Sequence, residues 1–388
     1  MAIELALVYL ITFILFLDTH GLSPLISPYA RMLGATVGLA GWIVGAFSVA
    51  NLFGNLGGGM WTDRAGRKLP LVVGLLAVGT ALMIYPALRS PQALLAVRAL
   101  HGLGSALVTP ACLAYLGDAS LPTARGRTMA FYGVAYGMSG LVGPPLGGLI
   151  RDRLGYPAVF LGLSALMFLM ALVALGQLKG GRPSQEETGA LSGGWRALLR
   201  PRLSVSFVAS FCWTFALGTL LVFLPLIGEA RGFTAARVGM LFGSFALAAS
   251  LLQASPLGRL SDRWGRLPTV VLGMALIAGA LLLLSFLTTW GPMMGAMFLY
   301  GLGFGILFPA KSALVADETT PLTRGKASGV FAAMFSVGMI AGTGMAGAME
   351  RWHQAAGLHP FQVAAMVILG GLLWTAFVGL MDRQRRMG

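Results

Sequence analysis

Apolar runs of about 20 residues recur along the whole chain, and they limit its fold more than any other feature. In a lipid bilayer a segment of that length has no water to bond, so its backbone must satisfy its own hydrogen bonds as a helix. Of the 388 residues, 57% are hydrophobic and only 10% are charged, whereas soluble globular proteins carry about 25% charged residues. The sequence therefore predicts an all-α integral membrane protein.

Charges, glycines and prolines between the apolar runs divide the chain into twelve predicted transmembrane helices. They cover residues 4–29, 37–61, 69–89, 91–117, 127–150, 155–178, 203–229, 234–258, 268–289, 291–316, 323–349 and 358–381. The long polar stretch 179–202 is the predicted cytoplasmic linker. It separates two predicted six-helix bundles, residues 1–178 and 203–388.

The basic residues predict the orientation in the membrane. With both termini in the cytoplasm, 18 of the 27 Lys and Arg residues fall on the cytoplasmic side and 7 on the other side. Cytoplasmic loops retain Lys and Arg during insertion, so this asymmetry predicts a multi-pass protein of the cell membrane, plasma or inner, with cytoplasmic termini. The net charge of +14 is thus a topology signal, and we expect no nucleic-acid partner.

A pattern of glycines, a proline and charged residues repeats along the chain at an offset of 199 residues. Residues of the first half that recur are Gly59, Asp63, Arg64, Gly66, Arg67, Gly102, Gly104, Pro110 and Asp118. Their counterparts are Gly258, Asp262, Arg263, Gly265, Arg266, Gly301, Gly303, Pro309 and Asp317. Duplicated bundles of this kind are typical of transporters that bind substrate at the bilayer midplane between the repeats.

The segment from Gly59 to Lys68 resembles the G-x-x-x-D-R-x-G-R-K loop of the major facilitator superfamily, and its copy begins at Gly258. The resemblance covers the full chain and implies two pseudo-symmetric six-helix bundles that alternate between inward-open and outward-open states. We expect Asp118 and Asp317 to pair with Arg67 and Arg266, so that each loop acts as a latch. The alternative is that these charges only satisfy the positive-inside rule, which requires neither acids nor glycines.

Residues 98–106 in the fourth predicted helix resemble the R-x-x-Q-G-x-G-x-A motif of proton-coupled members of the superfamily, with His101 in place of the glutamine. Arg98 has Met297 as its counterpart, so the repeat does not require an arginine there. Because an arginine inside the bilayer needs a cavity or a counter-charge, we expect Asp18 to pair with it and to exchange protons. The alternative is a static ion pair that only orders the helices.

Three further candidates complete the predicted transport site. His20 and His101 can join a proton relay, because imidazole titrates near neutral pH, although a single histidine on a helix is more often a simple hydrogen-bonding group. Lys311, six residues before Asp317, either reaches the cytoplasmic surface or lines the substrate cavity. The two cysteines, Cys112 and Cys212, are interpreted as packing residues.

The fifth predicted helix contains a stretch that resembles the G-x-x-x-G-P-x-x-G-G element of antiporters in the superfamily. Its residues are Ser139, which replaces the first glycine, and Gly143, Pro144, Pro145, Gly147 and Gly148. Proline can kink the helix and the small residues permit close packing on a neighbour. The alternative is ordinary transmembrane packing, in which glycine is common.

These features predict a secondary active transporter, a proton-coupled exporter resembling the twelve-helix drug:proton antiporters. Lipophilic or amphipathic small molecules are the expected cargo, and the sign of their charge stays open. The alternatives are an exporter or flippase of a metabolite, siderophore or lipid-like molecule, and a transporter-like sensor. The sequence shows no P-loop, metal cluster or nucleophile–base pair, so we expect no enzyme activity and no cofactor or metal, with the proton gradient as energy source. The expected partners are the substrate, protons and the lipid bilayer, and we expect a monomer.

Overall fold

The computed structural model describes residues 2–120, 125–178, 200–255 and 260–387, and within these ranges regular structure is helical throughout. The helices are α1 Ala2–Gly21, α2 Ile26–Met32, α3 Val37–Ala65, α4 Lys68–Ile84, α5 Pro91–Ala119, α6 Arg125–Gln177, α7 Pro201–Ala230, α8 Ala235–Ala254, α9 Leu260–Trp264, α10 Arg266–Phe286, α11 Trp290–Asp317, α12 Pro321–Gly344, α13 Ala346–Ala356 and α14 Pro360–Met387.

Eleven of the described helices are long and apolar enough to cross a membrane. One of them, α6, bends at Gly155, whose backbone leaves the helical conformation with φ 81° and ψ 174°. The two parts of α6 match the fifth and sixth predicted helices, so the described residues supply twelve spans. The predicted all-α membrane fold is confirmed.

Two predicted helices are each divided in the structure. The span predicted over 4–29 ends as α1 at Gly21, and the chain resumes helix as α2 at Ile26. Pro24 lies in the break, and a proline cannot donate the backbone hydrogen bond that would continue α1. The span predicted over 323–349 ends as α12 at Gly344 and is followed by the short helix α13.

Two compact units divide the chain. Unit 1 contains Met1–Glu186 together with Pro225–Gly243, and unit 2 contains Glu187–Leu224 together with Ser244–Gly388. The bundle boundaries expected from the sequence, with the linker at 179–202, stay a prediction. Most of that linker, residues 179–199, lies outside the described residues.

Close approach of helices in both units depends on glycines of the repeat. In unit 1, a Cβ added to Gly102 of α5 would overlap the backbone oxygen of Phe47 in α3. In unit 2, a Cβ on Gly301 of α11 would overlap the backbone oxygen of Phe245 in α8. Only glycine leaves room for these contacts, which explains why the duplicated positions kept it.

Replacing Gly301 with Val should lower the thermal unfolding midpoint by several degrees, because overpacking a close helix contact costs about 1–3 kcal/mol. Gly295 lies on the same helix with no atom within 4 Å of an added Cβ, so Gly295→Val is the matched control and should change the midpoint much less. A thiol-reactive fluorescent dye can follow unfolding in detergent through the buried cysteines Cys112 and Cys212. Equal losses in the two variants would contradict this packing.

Candidate functional site

Asp18 and His101 form a buried acid–base pair between α1 and α5. Nε2 of His101 lies 2.7 Å from Oδ2 of Asp18, and neither side chain is exposed. The second carboxylate oxygen, Oδ1, is buried and accepts no hydrogen bond from the described part of the chain. A charged side chain at the centre of a membrane helix costs at least about 2.5–3.5 kcal/mol, and this pairing offsets part of that cost.

Tyr85 and Arg98 extend the pair into a chain of polar groups. The Tyr85 hydroxyl lies 2.9 Å from Nδ1 of His101, and the guanidinium of Arg98 interacts with the same hydroxyl. A guanidinium only donates and a carboxylate only accepts, so with Asp18 ionised the hydrogen bonds run from Arg98 through Tyr85 and His101 to Asp18. This direction assigns a neutral His101 with its proton on Nε2.

The expected direct pairing of Asp18 with Arg98 is wrong, because His101 is the partner of the carboxylate. His101 follows Arg98 by three residues, so both side chains lie on one face of α5, one turn apart. Arg98 instead lies over the ring of Phe47, with its guanidinium carbon 4.9 Å from the ring centre. The structure therefore joins Asp18, His101 and Arg98 in one network, in a different order from the expected one.

His20 makes a separate contact, although it lies close to Asp18 on α1. Its Nδ1 is 3.0 Å from the hydroxyl of Ser139, which donates to the backbone oxygen of Tyr136 at 2.6 Å. Ser139 therefore accepts from His20, and its place in the antiporter-like stretch of α6 links that stretch to α1. No hydrogen bond between His20 and His101 occurs in the described residues, so a relay through both stays a prediction.

Lys311 lies on α11 in unit 2 and is fully buried. Its Nζ donates to the hydroxyl of Ser210 at 3.1 Å. The sequence left open whether the side chain reaches the cytoplasmic surface, and in this structure it does not. The other, a lining residue of the substrate cavity, stays a prediction.

The antiporter-like stretch of α6 packs closely on α1 and on the first part of α8, up to Gly243, which also belongs to unit 1. Added Cβ atoms on Gly143 and Gly147 would collide with the backbone of Gly21 at the end of α1. On α8, the backbone of Ala235 lies against Gly148, and Gly239 lies against the backbone of Pro144 and Pro145. The small residues thus serve the close packing expected of them, and one of the packed neighbours is α8.

Asp152 follows this stretch and caps the start of α8. Its Oδ1 and Oδ2 accept hydrogen bonds from the backbone N–H groups of Ala235 at 3.0 Å and Ala236 at 2.8 Å. Unpaired N–H groups at a helix N-terminus carry partial positive charge and attract a carboxylate. Beside it, Arg151 lies 3.7 Å from Glu229 of α7. The sequence analysis assigned no role to Asp152. The signal that could have identified it is an acidic residue between two arginines.

In the first loop motif, Arg67 forms an ion pair with Asp118 at the end of α5. Its Nε lies 2.9 Å from Oδ2 of Asp118, and its Nη1 donates to the backbone oxygen of Thr62 at 2.9 Å. Gly66, with φ +80°, makes the turn that a side chain would strain. Arg64 is exposed, Gly59 meets open space, and the side chain of Asp63 lies outside the described side chains.

The second loop motif repeats this geometry in unit 2. Nε of Arg266 lies 2.8 Å from Oδ2 of Asp317, and its Nη1 contacts Asp262. Gly265 has φ +88°, Arg263 is exposed, and Gly258 lies outside the described residues. Both expected arginine–aspartate pairs are therefore present, and their gating role stays a prediction.

The sequence profile described as Major Facilitator Superfamily matches residues 8–255 and 207–386, which together cover nearly all of the chain. The chain belongs to the major facilitator superfamily. A superfamily transporter spans the membrane many times and carries small molecules, in agreement with the twelve spans and with the buried polar network.

Two named relatives are similar over almost their whole length. Multidrug resistance protein 2 of Bacillus subtilis is 25% identical, with 93% of this chain and 91% of that protein covered. Multidrug resistance protein MdtG of Salmonella arizonae is 27% identical, with 94% of this chain and 91% of that protein covered. An uncharacterized MFS-type transporter of Methanocaldococcus jannaschii is 25% identical, with 94% and 95% covered.

Solved structures of the superfamily share the fold. A POT family transporter in complex with 5-aminolevulinic acid superposes with a TM-score of 0.78 at 12% identity, covering 98% of this chain and 96% of that one. A bacterial homolog of the human lysosomal transporter Spinster, inward-facing and unoccupied, gives 0.75 at 14% identity, covering 97% and 95%. At these identities the likeness concerns the fold alone.

Replacing His101 with Leu should destabilise the protein more than replacing it with Gln. Leucine leaves Asp18 without a donor, and an unpaired buried polar group costs about 1–3 kcal/mol, more for a charged one, whereas the glutamine amide can still donate. The cysteine-reactive dye described above gives both unfolding midpoints. A glutamine variant as unstable as the leucine variant would contradict the hydrogen bond as the source of stability.

Proposed function

We propose that this superfamily member is a proton-coupled exporter of lipophilic or amphipathic small molecules that works by alternating access. The observation that carries the proposal is the fully buried pair of Asp18 and His101, with atoms 2.7 Å apart inside membrane-spanning helices. A carboxylate in such a place is a candidate proton carrier, because hydration and pairing change its charge state. The resemblance to relatives named multidrug resistance proteins supports the cargo class.

In the proposed cycle, the proton binds to Oδ1 of Asp18, the oxygen that accepts no hydrogen bond from the described residues. With Asp18 ionised, His101 neutral and Arg98 charged, the network has no net charge. Protonation of Asp18 gives it one positive charge. This change weakens the attraction that orders the network, so proton binding can bias one conformational state over the other.

Arg98 also belongs to the proposed cycle. Its fixed positive charge acts on Asp18 through Tyr85 and His101 rather than by direct contact. In the proposed cycle, the proton leaves Asp18 when the pair meets water on the cytoplasmic side. The energy source is then the proton gradient, and the cycle needs no cofactor.

Two sets of contacts are proposed as gates. On the proposed cytoplasmic side, the pairs Arg67–Asp118 and Arg266–Asp317 hold their loops to the ends of α5 and α11. On the opposite side, Asp152 holds the N-terminus of α8 beside the close contacts of Gly148. Alternating access requires that the contacts of one side break while those of the other form.

Replacing Asp18 with Asn should abolish proton movement coupled to cargo, because the amide has the shape of the acid but does not titrate. Proteoliposomes that contain a pH-sensitive dye and carry an imposed pH gradient can be challenged with naphthalene-2-sulfonate and, separately, with 2-naphthylmethylammonium. The matched control is Glu4→Gln, the same chemical change in the first turn of the same helix, which should leave the coupled flux intact.

The result that would contradict this assignment is a cargo-dependent proton flux in Asp18→Asn equal to that of the wild type. Movement of cargo that never depends on the pH gradient, in wild type and variant alike, would favour the flippase alternative. Silence of the wild-type protein toward a wider panel of dyes, metabolites and lipids would favour the sensor.

A disulfide between Cys residues placed at positions 152 and 235 should stop transport, because it would fix α6 to α8 in the arrangement of this structure. A 3.0 Å hydrogen bond joins the side chain of Asp152 to the backbone N–H of Ala235, so the two positions are neighbours that an oxidant is expected to cross-link. Transport should return on reduction, and each variant with only one of the two new cysteines should be insensitive to the oxidant. Full transport by the oxidised double variant would contradict this gate, because it would show that transport does not require the contact to open.

A further inference from the structure

The buried amine of Lys311 is enclosed by aromatic rings of unit 2. Its Nζ lies 5.0 Å from the ring centre of Trp213, 5.1 Å from that of Phe331 and 5.5 Å from that of Phe308. Its hydrogen bond is to the hydroxyl of Ser210. These four residues come from three helices, α7, α11 and α12, so the enclosure is built by tertiary packing rather than by neighbours along one helix.

No carboxylate pairs with Lys311 among the described residues, in contrast to the acid–base pair of unit 1. Removing an ammonium group from water costs several kcal/mol, and contacts with ring faces return about 0.5–2 kcal/mol each. A neutral hydroxyl adds only a modest hydrogen bond. The protein therefore buries an amine that no carboxylate of the described residues compensates.

The fold does not require this lysine. At the offset of the repeat, its counterpart in the first half is Cys112, and the counterparts of Ser210 and Trp213 are Ile11 and Ile14. The first half thus builds the same helices with apolar residues at these positions. An uncompensated lysine that the scaffold can replace with cysteine is explained by a role in binding.

We propose that Lys311 and Ser210, with the rings of Trp213, Phe308 and Phe331, form the subsite for an amphipathic organic anion, whose carboxylate or sulfonate group meets the amine. This inference rests on the proposed transport function and names its substrate class. The ammonium supplies the missing counter-charge, the hydroxyl supplies a donor, and the rings contact an apolar body. Ser206 fixes the position of the lysine by donating to its backbone oxygen at 2.7 Å.

The test is binding to the purified full-length protein in a neutral detergent, measured by calorimetry, with no proton gradient. Naphthalene-2-sulfonate and 2-naphthylmethylammonium share an aromatic body and differ in charge. The wild type should bind the sulfonate more tightly. Lys311→Gln should weaken sulfonate binding at least tenfold and leave the ammonium probe unchanged, while Lys311→Arg, which keeps the charge, should stay within a few-fold of the wild type.

The matched control is Lys68→Gln, because Lys68 is a half-buried lysine of unit 1 whose Nζ donates to the backbone oxygen of Leu175. It should bind both probes as the wild type does. Three results would overturn the proposal: preference of the wild type for the ammonium probe, no binding of the sulfonate, or unchanged sulfonate binding by Lys311→Gln. The wild-type preference tests the idea even if the glutamine variant fails to fold.

This experiment separates the subsite from proton coupling. The binding test needs no proton gradient and changes only Lys311 of unit 2, whereas the flux test changes Asp18 of unit 1. If sulfonate binding depends on Lys311 but cargo moves without protons, the subsite stands and the coupling fails. If coupled flux is present but Lys311→Gln binds the sulfonate as the wild type does, the coupling stands and the subsite fails.

Discussion

A charged group inside a bilayer needs a partner, either within the protein or in a bound ligand, and this constraint governs the interior of both units. In unit 1 it is met by the contact of Asp18 with His101, which Tyr85 connects to Arg98. The apolar helices, their close glycine contacts and the loops only bring these side chains to one place. The proposed proton coupling depends on this pair.

The sequence predicted the fold and the loop contacts well, because both follow from local rules. Apolar run lengths set the spans, and the repeat identified Asp118 and Asp317 as the partners of Arg67 and Arg266, which lie 2.9 Å and 2.8 Å from them. Residues that a motif places at the ends of helices have few geometric alternatives. Contacts at helix ends can therefore be inferred without knowledge of helix rotation.

The sequence did not predict which buried partner Asp18 takes, because that depends on how α1 and α5 are placed relative to each other along their axes. Arg98 and His101 lie on the same face of α5, and a difference of one turn decides the contact. Nor did it predict Asp152, whose partners are backbone N–H groups and leave no mark in the side-chain pattern. The break after Gly21 was missed because the apolar run continues across it.

The two halves repeat their scaffold and diverge in their chemistry. Gly66 and Gly265 make the same turn, but Asp18 has Leu217 as its counterpart and Cys112 has Lys311. We interpret the first half as the site of proton exchange and the second as the site of anion recognition. Such a division lets one duplicated framework serve two binding events that alternating access connects.

The most direct test of the central claim is infrared difference spectroscopy of the carboxyl stretching region during a pH titration of the purified protein. We expect the wild type to show a protonated-carboxyl component that grows as the pH falls and that is missing when the Asp18→Asn spectrum, which contains the other carboxyl groups, is subtracted from it. A band of the same size in wild type and variant would contradict Asp18 as the group that takes up the proton.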